Sequence, residues 1–423
     1  MKFTKTVLDN GLRIITAPQK DNPAVTVLVL VETGSKYETK DINGISHFLE
    51  HMCFKGTEKR PKSIDISTEL DSIGASYNAF TGYEYTGYYA KVDKSHFDKA
   101  LDVVSDIYLN QIFDEKEIDK ERGVVIEEIN MYEDLPMRKV QEIFTAVLYG
   151  DQPAGWDIGG RKEVLGKLTR DDFLKYRKEH YLASATTVII SGAIDENDAL
   201  EKAKKYFANI ATGEKSGKLP VKEIQTKPEF IVKEKASDQT HIIIGVRAYS
   251  LVDEMRYIAG VIADILGGGM SSRLWRVIRD EMGAAYYVRA DNDELTDHGF
   301  LSASVGAHNK KLIPVTKAVL KEFEKLKEEE VSEKELRKTK DHIIGRMMLE
   351  LETSDAVASF YGMQEILTKE ILNPSEIAEK IEKVTAKEIQ EVAKNIFKDE
   401  KLNLAVVGPV GDKKQLEEAL KIA

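Results

Sequence analysis

The chain is poor in cysteine, with Cys53 alone among 423 residues. A single thiol excludes an intrachain disulfide framework and suits a reducing compartment, so a cytoplasmic location is expected. Long apolar runs are also missing. The longest purely aliphatic stretch, Val27 to Val31, falls far short of the roughly 20 residues that span a bilayer. The opening MKFTKTVLDNGLR places charges and an Asn-Gly turn where a signal peptide carries its apolar segment. Basic charge is in deficit, 61 Lys and Arg against 72 Asp and Glu, for a net charge of −11. A nucleic-acid binder shows the opposite sign, so neither nucleic acid nor membrane is an expected partner. The acidic balance reads first as a solvated surface and only weakly as a preference for cationic ligands.

What is present supports a large core. Hydrophobic residues make up 42% of the chain and are spread evenly, which excludes a disordered polymer. At about 150 residues per domain, two to three domains are expected. A faint repeat narrows this. NGLRIITAP begins at Asn10 and KPEFIVKEK at Lys227, and the same offset separates VTVLVLVETG at Val25 from IIIGVRAYS at Ile242. VIISGAID at Val188 and LAVVGPVG at Leu404 keep that offset to within one position. One spacing kept by three landmarks points to duplication of a unit of about 210 residues. Strand-like runs alternate with helical stretches such as Glu196 to Phe207 and Ser332 to Glu350, and Tyr77 to Val92 reads as two strands turning near Gly82. The expected class is α+β: two similar α/β-layered domains, each an antiparallel-rich sheet packed by helices. The expected boundaries are 1–212, an exposed linker over 213–229 rich in Lys, Gly and Pro, and 230–423.

Residues 47–51 read HFLEH. A helix from Ile45 to Phe54 puts His47 and His51 one turn apart on one face, where both imidazoles can address one ion. Glu50 sits beside that face and suits a base acting on a water activated by the metal, while Phe48 and Leu49 face away as anchors. With 8 histidines in the chain, on the order of 0.015 accidental matches to His-x-x-Glu-His are expected. A catalytic zinc uses three protein ligands and leaves a position for water. The segment KERGVVIEEINMYED carries Glu121 and Glu128 nearly two helical turns apart and so on one face. Glu128 can complete a His₂Glu set and Glu121 can support a ligand from behind; Glu127 and Glu133 compete, and composition does not choose among them.

HFLEHMCFKGT together with ERGVVIEEI closely resembles the inverted-motif zinc peptidases related to pitrilysin, insulin-degrading enzyme and mitochondrial processing peptidase. In that family the third ligand is a Glu at a set distance beyond the second His. The distance from His51 to Glu128 matches it, and a further Glu that the family carries two helical turns earlier corresponds to Glu121. The resemblance runs through NGLRII, ETGSKYE (Glu32 to Glu38), NAFTGYEYT (Asn78 to Thr86) and SRLWRVIRDEMGAAYYV (Ser272 to Val288) over essentially the whole chain. It implies a Zn²⁺ endopeptidase of the short subfamily, whose chains pair to enclose a chamber, and hence a homodimer acting on peptides. It also implies that the second half has lost the metal: the repeat offset carries His47 onto Asp264, in DILGG.

The resemblance assigns further residues. Asn78 and Ala79, with Phe80 beside them, match a strand that lies open at a sheet edge and pairs with extended substrate. Arg279 and Tyr286 match an Arg-Tyr pair that binds substrate and supports the developing oxyanion, a task suited to fixed guanidinium donors and a phenol. Without it, Arg279 reads as surface charge and Tyr286 as core. Ala284, where the family usually has Leu, and Gln152 and Trp156 depart from the family pattern. GGGMSS (Gly267 to Ser272) lacks a Gly-Lys-Ser/Thr ending and reads as a flexible loop capped by Ser271 or Ser272 before a helix. Cys53 reads as a buried structural thiol. The expected catalyst uses His47, His51 and Glu128 as ligands, Glu50 as base, and Glu121, Arg279 and Tyr286 as supports. The alternative is a non-catalytic partner subunit of such a peptidase.

Overall fold

The structure, a computed structural model, describes residues 2–422. Strands β1 (Thr4–Val7), β2 (Arg13–Pro18), β3 (Ala24–Val31), β4 (Ser76–Thr81), β5 (Thr86–Asp93) and β6 (Thr186–Gly192) form one sheet in the order β1-β2-β6-β3-β5-β4. Strands β7 (Glu229–Glu234), β8 (Gln239–Arg247), β9 (Ala285–Glu294), β10 (Gly299–His308) and β11 (Leu402–Gly408) form a second in the order β7-β11-β8-β10-β9. In each sheet one pairing is parallel, β2 with β6 and β7 with β11, and the others are antiparallel. Apart from β1, the two sheets share one order and one set of strand senses. The three sequence landmarks fall on β2 and β7, β3 and β8, and β6 and β11, so their constant spacing is the imprint of a duplicated sheet.

The compact units are not the two continuous stretches expected. One takes residues up to 129, 157–219 and 348–374; the other takes 130–156, 220–347 and 375 onward. The departures from 1–212 and 230–423 are two helices. Pro136–Tyr149, early in the chain, packs Val140, Phe144 and Leu148 with Ile243, Phe300, Ala405 and Val407 of the second sheet. Ser354–Thr368, late in the chain, covers the first sheet: a Cβ on its Gly362 would stand 2.8 Å from Leu30 and from Ile189. Thr26 and Ser354 share a hydroxyl hydrogen bond of 2.8 Å in the same layer. Such long-range pairing leaves no periodic mark in sequence, since a helix shows its apolar stripe but not what covers it.

Helices on both faces of the first sheet explain why β3 and β6 are buried along almost their whole length. Val25, Val27, Val29 and Val31 point into the core that includes Phe48 and Leu49, while Leu28 and Leu30, both buried, alternate onto the other face. Residues 213–228 contain no helix or strand, and Glu229, the last residue of the expected linker, begins β7. No helix among the described residues is long and apolar enough to cross a membrane.

Candidate metal centre

The His-x-x-Glu-His segment lies on a short helix, Ile45–Met52, whose Phe48 and Leu49 are fully buried. Its start is held by backbone that only glycine adopts freely. Gly44 has φ of 100°, and a Cβ there would lie 2.8 Å from the Gly159 carbonyl oxygen and from the Gly160 Cα. The loop in which Trp156 and its neighbours depart from the family pattern thus continues into two glycines that brace this helix.

A residue that sequence reasoning passed over also holds the helix start. Glu38 is buried, and its carboxylate accepts hydrogen bonds from the backbone N–H groups of Gly44 and Ser46, each at 2.8 Å, and from the Asn43 amide at 3.0 Å. It satisfies donors that a helix N-terminus leaves without intrahelical partners. Ser46 also shares a hydroxyl bond of 2.7 Å with Tyr176, which in turn meets Thr33 at 2.8 Å. Burial pushes the Glu38 carboxyl up to about 7, against the pull of its donors. Between its ordinary 4.5 and about 7 the folded chain binds a proton that the unfolded chain has released. The stability contribution of this group therefore falls as pH rises through that window, by up to about 3 kcal/mol. Urea midpoints measured from pH 4.5 to 7 should decline less steeply in Glu38→Gln than in the parent chain.

His47 and His51 meet Glu128, from the helix Glu115–Asp134, in one cluster. The two Nε2 atoms are 3.3 Å apart, and Oε2 of Glu128 lies 3.7 Å from His47 Nε2 and 3.5 Å from His51 Nε2. Donors placed about 2.0–2.2 Å from a tetrahedral ion are separated by about 3.3–3.6 Å, a range that holds the 3.3 and 3.5 Å edges and that the 3.7 Å edge only just exceeds. The chemistry fits as well: two imidazoles and a carboxylate are the donor set of a catalytic site that leaves its fourth position to water or substrate. Glu127 and Glu133, which sequence composition left in competition, are not in the cluster. Glu133 instead pairs with Lys139 and Lys233 in the second unit.

The two rings lie in different electrostatic surroundings. Burial, with help from His51, lowers His47 to about 4. Burial acts on His51 in the same direction, but hydrogen bonds to Glu121 and Glu128 outweigh it and raise this ring to about 9. His51 Nδ1 donates to Oε1 of Glu121 at 2.9 Å, which turns Nε2 toward the cluster. Oε2 of Glu121 in turn pairs with Lys55 Nζ at 2.5 Å. His47 has no matching support: its Nδ1 is buried without a hydrogen-bond partner among the described residues, and Asp157 reaches the ring through charge. Outer partners of ligating histidines typically contribute 10- to 100-fold in metal affinity. Glu121→Ala is accordingly expected to weaken zinc binding by about 30-fold in chelator competition, with the fold retained.

Glu50 is outside the cluster. The residue is 9% exposed, and burial raises its carboxyl above its ordinary value. Oε2 accepts the Thr81 hydroxyl at 2.5 Å. Cys53 is buried beside Tyr88 and Gln111, in keeping with a structural thiol.

The strand expected at a sheet edge is at one. Among the described residues β4 pairs with β5 alone, and no strand lies on its other side. Asn78 is exposed, Ala79 is buried, and Phe80 is half-buried across Gly87, where a Cβ would come within 2.3 Å of its ring.

In the second unit Arg279 lies on a π-helix, Trp275–Glu281, and its guanidinium donates to the Tyr286 carbonyl oxygen. It stacks 4.5 Å from the Trp275 ring centroid and 5.7 Å from that of Tyr286. Tyr286, the second residue of edge strand β9, has 73% of its surface exposed and is not part of the core. Asp264 lies on the Arg256–Gly267 helix with Oδ1 2.8 Å from His342 Nδ1. The glycine-rich loop is shaped by contact: a Cβ on Gly267 would strike the Ala290 nitrogen at 2.0 Å, and one on Gly268 the Asp264 carboxylate at 1.9 Å. The expected serine cap is not made. Ser272 Oγ is buried without a partner, and Ser271 Oγ accepts from Lys338.

Known proteins resemble this chain over most of its length. Residues 13–160 match the family described as insulinase, peptidase family M16, and residues 167–343 match the peptidase M16 inactive domain. The chain is 33% identical to the uncharacterized zinc protease YmxG of Bacillus subtilis, covering 95% of this chain and 97% of that one. It is 35% identical to an uncharacterized zinc protease of Rickettsia bellii, covering 96% and 98%. A solved protease from Helicobacter pylori superposes with a TM-score of 0.91 at 23% identity, over 96% of this chain and 99% of that one.

Proposed function

The chain belongs to the insulinase family, peptidase family M16, and on that premise we propose that it is a zinc endopeptidase cutting unfolded peptides or leader segments inside a closed chamber. The observation that carries this reading is the convergence of His47, His51 and Glu128 at close to the edge lengths of a zinc tetrahedron. Zinc, when bound, would polarise the scissile carbonyl and make a water acidic enough to attack at neutral pH. Glu50 takes the proton from the attacking water and later delivers it to the leaving amine. Its carboxyl, which burial raises above its ordinary value, suits both transfers. Glu121 orients His51. An extended peptide adds to the open side of β4, where backbone hydrogen bonds hold it with little regard for side chains, beside Asn78, Ala79 and Phe80. Arg279 and Tyr286 support the developing oxyanion from the partner chain of a homodimer. A cytoplasmic setting completes the reading, supported by the single buried cysteine.

A non-catalytic partner subunit would be marked by loss of the metal residues, and this chain carries all of them. Mass-spectrometric mapping of cuts in a peptide library, with and without a chelator, tests the activity. Cuts abolished by the chelator support it, and cuts indifferent to the chelator contradict it. Native mass near twice 47.6 kDa is expected for the homodimer.

A further inference from the structure

The Glu50 carboxylate has one hydrogen-bond partner among the described residues, the Thr81 hydroxyl, which donates to Oε2 at 2.5 Å. Oε1 has none and is left to exchange a proton. Thr81 closes β4, paired in register with Thr86, and the chain turns directly after it with Gly82 N–H donating to the Tyr85 carbonyl at 2.8 Å. That turn is fixed from the far side. A Cβ on Gly34 would stand 2.2 Å from the Gly82 carbonyl oxygen, and Ser35 and Lys36 N–H groups donate to the Gly82 and Tyr83 carbonyls. The hydroxyl is thus held by sheet register on one side and by a close backbone approach on the other.

We propose that Thr81 is a positioning residue for the reaction: it clamps one oxygen of Glu50 so that the other faces the attacking water, and ties the aim of the base to the strand that receives the peptide. A carboxylate on a two-bond stem turns freely about its last torsion, which has broad wells. One strong hydrogen bond from a rigid donor removes that freedom, and general-base transfer depends on such alignment. The placement also links two parts of the site. A peptide that adds to β4 lies along the strand whose last residue holds the base, so correct pairing and correct aim share one element.

The inference rests on the peptidase reading, and its test separates the two. Zinc-loaded parent chain, Thr81→Val and Thr81→Ser are compared on one quenched-fluorescent unstructured peptide, with zinc affinity by chelator competition and thermal midpoint measured alongside. Valine keeps the shape and removes the donor; serine keeps the donor. Thr81→Val should lower kcat about tenfold with KM, zinc affinity and midpoint little changed, and Thr81→Ser should recover kcat to within about twofold of the parent. Parental kcat in Thr81→Val overturns the inference alone. So does a loss shared by kcat, KM and midpoint that serine does not restore, since that marks a purely structural contact. Absence of zinc-dependent cleavage in the parent chain overturns the peptidase reading and the inference with it.

Discussion

His51→Ala is expected to give a folded chain that holds no zinc and cuts no peptide. The ring supplies one of three donors, and its Nδ1 anchors Glu121. Removing it leaves Glu128 and His47 as a two-donor remnant, while Glu121 keeps only its pairing with Lys55. Two donors do not hold zinc against water at ordinary concentrations, because each lost ligand removes both a bond and the pre-organisation of the rest. Zinc should fall from about one ion per chain to under a tenth, and kcat/KM by more than about 10³-fold. The fold should survive, since the helix is anchored by Phe48 and Leu49, both fully buried, and by the Glu38 bonds at its start. Metal analysis with circular dichroism checks both halves of the expectation. A His51→Ala chain that retains one zinc contradicts the ligand assignment.

Glu50→Gln should separate metal binding from chemistry. Glutamine keeps the size of the side chain and can accept the Thr81 hydroxyl through its amide oxygen, but it cannot take a proton from water. Because Glu50 is outside the donor cluster, zinc stoichiometry should stay at the parental level. General acid–base transfer contributes roughly 10²–10⁴-fold, so kcat should fall by about 10³ with KM changed little. The expected pattern, full metal with almost no turnover, differs from that of His51→Ala, which loses both. A zinc-loaded Glu50→Gln chain that cleaves at the parental rate removes Glu50 from the mechanism.

Legibility in the sequence followed the range of the interaction. His47, Glu50 and His51 lie within one helical turn, so spacing alone placed the two rings on one face and the carboxylate beside it. The duplication was legible because strand spacing survives when side chains diverge, and the two sheets repeat one order. Glu128 lies far beyond His51 in the chain, on another helix, and spacing alone left Glu127 and Glu133 in competition with it; only the family resemblance separated them. The exchanged helices, Pro136–Tyr149 and Ser354–Thr368, were not legible, since amphipathic sequence names a buried face and not its partner. Glu38 and Thr81 were missed for a related reason. Each acts through one hydrogen bond network set by loop geometry, and a glutamate before a turn or a threonine ending a strand carries no pattern of its own. For Glu38 the one available signal was its place in ETGSKYE, a segment shared with the family. Residue type alone would place Tyr286 in the core, whereas its strand at a sheet edge leaves it exposed; its assignment to substrate came from the resemblance.

The central claim is that one zinc, held by residues of this single chain, confers peptide hydrolysis. Metal-free protein titrated with zinc while cleavage of an unstructured peptide is followed tests this most directly. Cleavage absent at the start, rising with added zinc and levelling at about one ion per chain, is the predicted result. Full cleavage by the metal-free chain, or none at one bound zinc per chain, would contradict it.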